Sequence, residues 1–156
     1  MKYLAKVSYD GSKYYGFQKL NNYKTVQQEL EDALSKINKS LVLVKGAGRT
    51  DRGVHAYGQG ISFDLNISIE PDRLKNAVNS LLDSSIFITE VKEVEENFHA
   101  RFDAEEKTYK YIINLGKYDP INNDYIYNYN HKLNIRKMKK SSKYLIGKHS
   151  YRSFVS

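Results

Sequence analysis

Eleven consecutive residues, Gly46-Ala-Gly-Arg-Thr-Asp-Arg-Gly-Val-His-Ala56, gather one carboxylate, two guanidiniums, an imidazole and three glycines. Asp51 stands between Arg49 and Arg52, and a neighbouring guanidinium favours the ionised form of an acid. A charged carboxylate beside phosphate-binding arginines suits covalent or electrostatic chemistry on a sugar within a polyanion. The glycines at 46, 48 and 53 allow positive φ and close approach of the backbone to a ligand. An isolated Asp-Arg-Gly is more often a turn capped by its own Asp. The full string is far less generic. His55, by contrast, reads as a structural closure of the loop. The four histidines, at 55, 99, 131 and 149, show no paired spacing for a metal, and cysteine is absent, so no metal site is expected.

The loop must be held at both ends by regular structure. Upstream, Leu41-Val-Leu-Val44 opens a strand expected at about 41–47; downstream, Gly60-Ile-Ser-Phe-Asp-Leu65 alternates within a strand expected at about 56–65. Lys2–Tyr9 also alternates as a strand. Val26, Leu30, Ala33, Leu34 and Ile37 recur at helical spacing from Thr25 to Asn38, with Thr25 and Gln28 in a capping-box pattern. A second helix is expected from Pro71 to Leu82 and a strand over Ile86–Val94. The order β-α-β-β-α-β implies an α+β, ferredoxin-like (RRM-like) antiparallel sheet with helices on one face. Further on, Lys107–Leu115 reads as a strand, Gly116–His131 as a loop of unusual length, and Ile135 to Ile146 as a helix stopped by Gly147.

Charge divides the chain. Residues 1–97 hold 13 Lys/Arg and 13 Asp/Glu, whereas residues 98–156 hold 12 and 5, and so the whole net charge of +7. Eight of the 14 tyrosines lie in that second part. Two units are therefore expected: 1–97, an N-terminal ferredoxin-like catalytic domain, and 98–156, part of a second, similar α+β domain, basic and tyrosine-rich. Lysines interleaved with aromatics suit RNA phosphates and unpaired bases, and suit an ordinary lysine-rich face equally well. No run of about eighteen apolar residues is present, so no membrane span is expected. The N-terminus has no signal-peptide pattern and the lack of cysteine fits a reducing compartment, which together imply a cytoplasmic location.

The string Arg49-Thr-Asp51 followed by Gly53-Val-His-Ala56 resembles the active-site motif of the TruA family of tRNA pseudouridine synthases. Tyr9-Asp-Gly-Ser-Lys-Tyr-Tyr-Gly-Phe-Gln18, Thr25-Val-Gln27 with Leu30-Glu31, Phe98-His-Ala-Arg-Phe102, Lys107-Thr-Tyr-Lys-Tyr111 and Leu145–Phe154 are similar, in order, to five further stretches of that family. Six ordered matches are more specific than any one motif. The resemblance implies isomerisation of uridine to pseudouridine in tRNA, at positions 38, 39 and 40 of the anticodon stem-loop, without a cofactor. It implies that Asp51 is the catalytic carboxylate, attacking C1′ of the ribose or abstracting a proton at C2′. It further implies that Arg49 fills the place of the displaced uridine or holds the backbone, and that Tyr109 stacks on the uracil and takes part in proton transfer at C5. Lys107 stands where the family usually has Arg, keeping charge without the bidentate fork. Tyr9, Asp10 and Gln18 would shape the RNA groove, although a strand-end Asp-Gly turn explains them equally. Family members run on beyond the length seen here, so the chain is expected to end inside its second domain, and the full-length protein to be a homodimer clasping tRNA.

Two other classes compete. A noncatalytic RNA-binding module shares the ferredoxin-like sheet, as would an inactive fragment of the synthase. A pure binder, however, gains nothing from an acid aimed at an anionic ligand. A sugar-phosphate hydrolase would require a general-acid partner or a metal cluster, and the sequence offers neither.

Overall fold

Residues 1–129 and 131–154 are described by the computed structural model, and Asn130, Val155 and Ser156 of the expected second domain lie outside the described residues. The N-terminal part follows the order β1 (Lys2–Tyr9), α1 (Val26–Asn38), β2 (Lys45–Gly46), β3 (Ala56–Asp64), α2 (Pro71–Asn79), β4 (Ile86–Val94). Its four strands form one antiparallel sheet in the order β2-β3-β1-β4, the ferredoxin-like arrangement with the first and third strands central. Along β1 the residues Tyr3, Ala5, Val7 and Tyr9 are buried while Lys2, Leu4, Lys6 and Ser8 are not, the period-2 signature of a sheet covered on one face. Leu30 and Leu34 of α1, with Leu74 and Val78 of α2, share that core with Ile61, Phe63, Ile86 and Ile88.

Both helices begin at a side-chain cap. The Thr25 hydroxyl accepts from the Gln28 N–H at 3.4 Å, but Gln28 donates to Asp32 at 2.8 Å and makes no reciprocal capping-box arm. Glu70 accepts from the N–H groups of Asp72 and Arg73, with Pro71 opening α2, where its missing N–H costs nothing. Helix α2 stops three residues short of the expected Leu82. Its terminal Asn79 instead clamps the backbone of Ile88 at 2.8 and 2.9 Å.

The expected strand over 41–47 is reduced to Lys45–Gly46. The N–H of Val42 donates to the Ser35 hydroxyl and that of Val44 to the Glu31 carboxylate, so helix side chains take donors that a ladder would use. Glu31 is 2 % exposed and also receives Gln27 Nε2 at 3.1 Å and Lys19 Nζ at 3.2 Å.

The compact units are Met1–Tyr109 and Lys110–Ser156, a division twelve residues beyond the charge break at 97/98. The displaced segment belongs with the first sheet because Ala100 is buried there and its N–H donates to Ser62 Oγ, on the face opposite α1 and α2. Within the second unit, β5 (Ile113–Asn114) pairs in parallel with β6 (Tyr127–Asn128), and α3 spans Ile135–Ser142. The expected strand Lys107–Leu115 thus shrinks to two residues. Alternating Tyr109, Tyr111 and Ile113 supplies strand propensity, but among the described residues 107–111 have no strand partner, and Ile112 joins the pairing only through its carbonyl, which accepts the Tyr127 N–H at 2.8 Å. Within the expected long loop, Asp119 closes a turn: its carboxylate accepts from the N–H groups of Ile121 and Asn122 and from the Asn122 side chain. The Asn122 bonds hold Asp119 below its ordinary pKa. None of the second unit's described residues is buried.

Candidate active site

The 46–56 loop crosses from β2 to β3 and is stitched to the 10–17 loop that follows β1. Thr50 is the main stitch. Its carbonyl accepts the Phe17 N–H at 3.0 Å, and its hydroxyl shares a 2.9 Å hydrogen bond with the buried Tyr9 phenol. Gly16 has φ +97°, and a Cβ there would stand 2.7 Å from the Thr50 carbonyl oxygen, so glycine is required twice over. At the other end a Cβ on Gly11 would lie 2.0 Å from the Val54 carbonyl oxygen. The Gly11 N–H is 3.2 Å from His55 Nδ1, which is also 3.1 Å from Asp10 Oδ1. His55 closes the loop against the Asp10 turn. Two more bonds fasten the upstream limb to β3: Gln59 Nε2 to the Gly48 carbonyl at 2.6 Å, and the Ala47 N–H to the Gly60 carbonyl at 2.8 Å.

Asp51 opens a tight turn closed by the Val54 N–H on its carbonyl at 3.2 Å. Gly53, with φ +81°, occupies the position where a type II turn requires positive φ. Of the three loop glycines this is the one that uses the left-handed region; Gly46 is instead pressed on the Phe17 ring, where a Cβ would lie 2.5 Å from Cε1. The Asp51 side chain is exposed next to the pinned Thr50. Neither flanking arginine forms an ion pair with it. Arg52 turns to the Tyr15 ring, 4.4 Å from its centroid. Arg49 turns to a cavity of about 230 Å³ lined by Phe17, Gln18, Gln27, Gly46, Gly48, Arg49 and Arg101.

The other sequence-predicted residues fall into three groups. Gln18 lines the cavity with Arg49, and the Lys107 ammonium reaches to 3.8 Å from where a Cβ on Gly48 would be, so both approach the loop. Tyr9 is 5 % exposed and lies beneath the loop, supporting Thr50, with its phenol pushed above its ordinary pKa by burial. Tyr109 is 70 % exposed, and the geometry does not bring it into the cavity. Sequence reasoning passed over Thr50, Gln59 and Arg101. Arg101 follows the Ala100 anchor within the quoted Phe98–Phe102 stretch; that motif was the available signal. Arg49 and Arg101 form no ion pair among the described residues, so two unneutralised guanidiniums line one small cavity, and the exposed Asp51 follows Arg49 by two residues. Two such guanidiniums can hold an anionic backbone. Among the described residues no group of three or more His, Cys, Asp or Glu is placed to hold a metal ion, and no helix is long and apolar enough to cross a membrane.

A family profile described as tRNA pseudouridine synthase matches residues 5–103, the sheet, both helices, the pinned loop and the Arg101 turn. The chain belongs to the tRNA pseudouridine synthase family. Proteins named tRNA pseudouridine synthase A are similar along nearly all of it. The one from Borreliella afzelii is 44 % identical over 155 residues, covering 98 % of this chain. That from Pseudothermotoga lettingae is 42 % identical over 155 residues, covering 99 %. That from Listeria monocytogenes is 43 % identical over 157 residues, covering 99 %. The chain spans 63 % of the length of each of these relatives.

Proposed function

We propose that the chain acts as a tRNA pseudouridine synthase, isomerising uridine to pseudouridine in the anticodon stem-loop without a cofactor. The reaction breaks the N1–C1′ bond, turns the uracil and joins C5 to C1′; the C5 proton departs and N1 takes one up, so nothing is consumed. Asp51 acts at the ribose, at C1′ or C2′. Arg49 and Lys107 hold the RNA backbone around it, Gln18 borders the nucleotide, and Tyr9 positions the loop through Thr50. Tyr109 serves as the stacking and proton-transfer partner. The protein would work as a cytoplasmic homodimer with tRNA as its substrate.

The observation that carries this reading is the loop itself. Backbone, phenol and glycine contacts immobilise Thr50; the next residue, Asp51, is exposed, and Arg49, on the other side of Thr50 in the chain, lines a cavity with Arg101. Positioning of this kind is what lets a carboxylate act on a bound sugar. A module that only binds RNA would lose affinity to an acid in that place.

The test is release of tritium from C5-tritiated uridine in tRNA, read as single turnover. Asp51→Asn should abolish release, by at least a thousandfold on the order expected for loss of a nucleophile or base, while tRNA affinity stays equal or rises slightly. Ordinary turnover by this variant would overturn the assignment.

A further inference from the structure

Residues 11–25 carry three lysines and no acid, together with Tyr14, Tyr15, Phe17 and Tyr23. Tyr14 and Phe17 turn inward and are almost fully buried. Tyr15 and Tyr23 do not: they are 44 % and 51 % exposed, with ring centroids 4.4 Å apart at an interplanar angle of 37°. The pair is held by backbone. The Tyr15 N–H donates to the Lys24 carbonyl at 2.9 Å, Leu20 bridges to Tyr23, and Asn22 takes φ 67° between them. The Arg52 guanidinium lies over Tyr15, 4.4 Å from the ring centroid, and forms no ion pair among the described residues.

Two partly exposed rings tilted over one another and an unneutralised guanidinium in contact make a cationic, preorganised aromatic cluster. Unpaired nucleobases are bound by this combination: the base stacks on the ring or guanidinium plane, and the positive charge meets its phosphate. Its location narrows the ligand. Arg52 directly follows Asp51, and a Cβ on Gly16, next to Tyr15, would lie 3.3 Å from the Asp51 carbonyl carbon. The surface is therefore continuous with the catalytic loop but separate from the Arg49 cavity, whose lining includes none of the three residues.

We propose that Tyr15, Tyr23 and Arg52 form a stacking shelf for the unpaired base that neighbours the reacting uridine. This rests on the RNA-modifying reading above. The shelf holds the strand beside the site, so that the uridine enters with its ribose toward Asp51.

The experiment uses the whole chain and an anticodon stem-loop RNA carrying 2-aminopurine on either side of the target uridine. Wild-type protein should quench the probe on one side. Replacing both rings (Tyr15→Ala with Tyr23→Ala) should remove that quenching and weaken binding by about tenfold. The Tyr15→Phe, Tyr23→Phe pair should retain both, since stacking needs the ring and not the hydroxyl. An abasic nucleotide at the flanking position should weaken wild-type binding by a similar factor and leave the double-alanine variant unaffected. Binding without quenching at either side, or an abasic penalty that persists in the double-alanine variant, would remove the shelf while leaving the synthase reading in place. Failure of the wild-type chain to bind the stem-loop at all would instead overturn the RNA reading beneath it.

Discussion

Tyr9 and Thr50 support the candidate loop from beneath and do not line its cavity. Their hydroxyls share one hydrogen bond under the loop, and Thr50 is the covalent neighbour of Asp51. Tyr9→Phe keeps the buried ring and removes that bond, so stability should fall by about 1 kcal/mol. Turnover should fall further, on the order of tenfold, because the backbone that carries the carboxylate loses an anchor. A loss confined to stability would make Tyr9 core and nothing more. Alkaline pH gives a second readout. Burial, the larger effect, pushes the Tyr9 phenol above its ordinary value and the Thr50 bond pulls it partly back. The folded state therefore retains the proton longer than the unfolded chain does. That contribution is fully present below about pH 10, the unfolded value, and is lost as pH rises through the folded value. Phenylalanine cannot ionise, so urea midpoints of Tyr9→Phe should decline less from pH 8 to pH 11 than those of the wild type. Equal declines would show that Tyr9 is not a source of the alkaline loss.

Glu31 explains why the element preceding the loop differs from its sequence signal. It sits on the buried face of α1 and accepts from Val44, Gln27 and Lys19, replacing sheet pairing with helix-to-backbone bonds. Glu31→Ala would leave the buried Val44 N–H unsatisfied and free the lead-in to the loop, at a cost of about 2–4 kcal/mol. Thermal unfolding would show this as a clear drop in midpoint. An unchanged midpoint would mean that water or a shifted backbone replaces the carboxylate. Periodicity made the rest of the sheet legible: β1 and β4 have the bounds their alternation predicts, and α1 its five apolar positions. It could not reveal a side chain competing for the backbone of 42–44, since Glu31 reads as a polar position between Leu30 and Asp32. For the same reason 107–115 looked like a strand, because alternation reports side-chain preference and says nothing of a pairing partner. Of the candidate site, the sequence displayed the motif residues Arg49 and Asp51. Thr50 and Gln59 act through contacts across 41 and 11 residues, which no local spacing displays.

At the scale of the whole molecule the charge asymmetry is sharper than the sequence break suggested. Met1–Tyr109 carries 15 basic and 16 acidic residues, whereas Lys110–Ser156 carries 10 basic and 2 acidic. Helix α3 concentrates this, with Arg136, Lys137, Lys139 and Lys140 all exposed and no buried face. A helix with no buried residue contributes little to a core, and its lysines are free to release counterions from RNA phosphates. Replacing Lys137, Lys139 and Lys140 with Gln should weaken tRNA binding. It should also make the slope of log affinity against log salt shallower by about one unit for each phosphate that a lysine no longer neutralises. Single-turnover release of C5 tritium at saturating tRNA should be unchanged, because the carboxylate and the arginine-lined cavity belong to the other unit. Equilibrium binding across a salt series, beside that rate measurement, separates the two roles. A slope equal to wild type would remove α3 from the RNA surface, and a lower rate at saturation would place it in the chemistry.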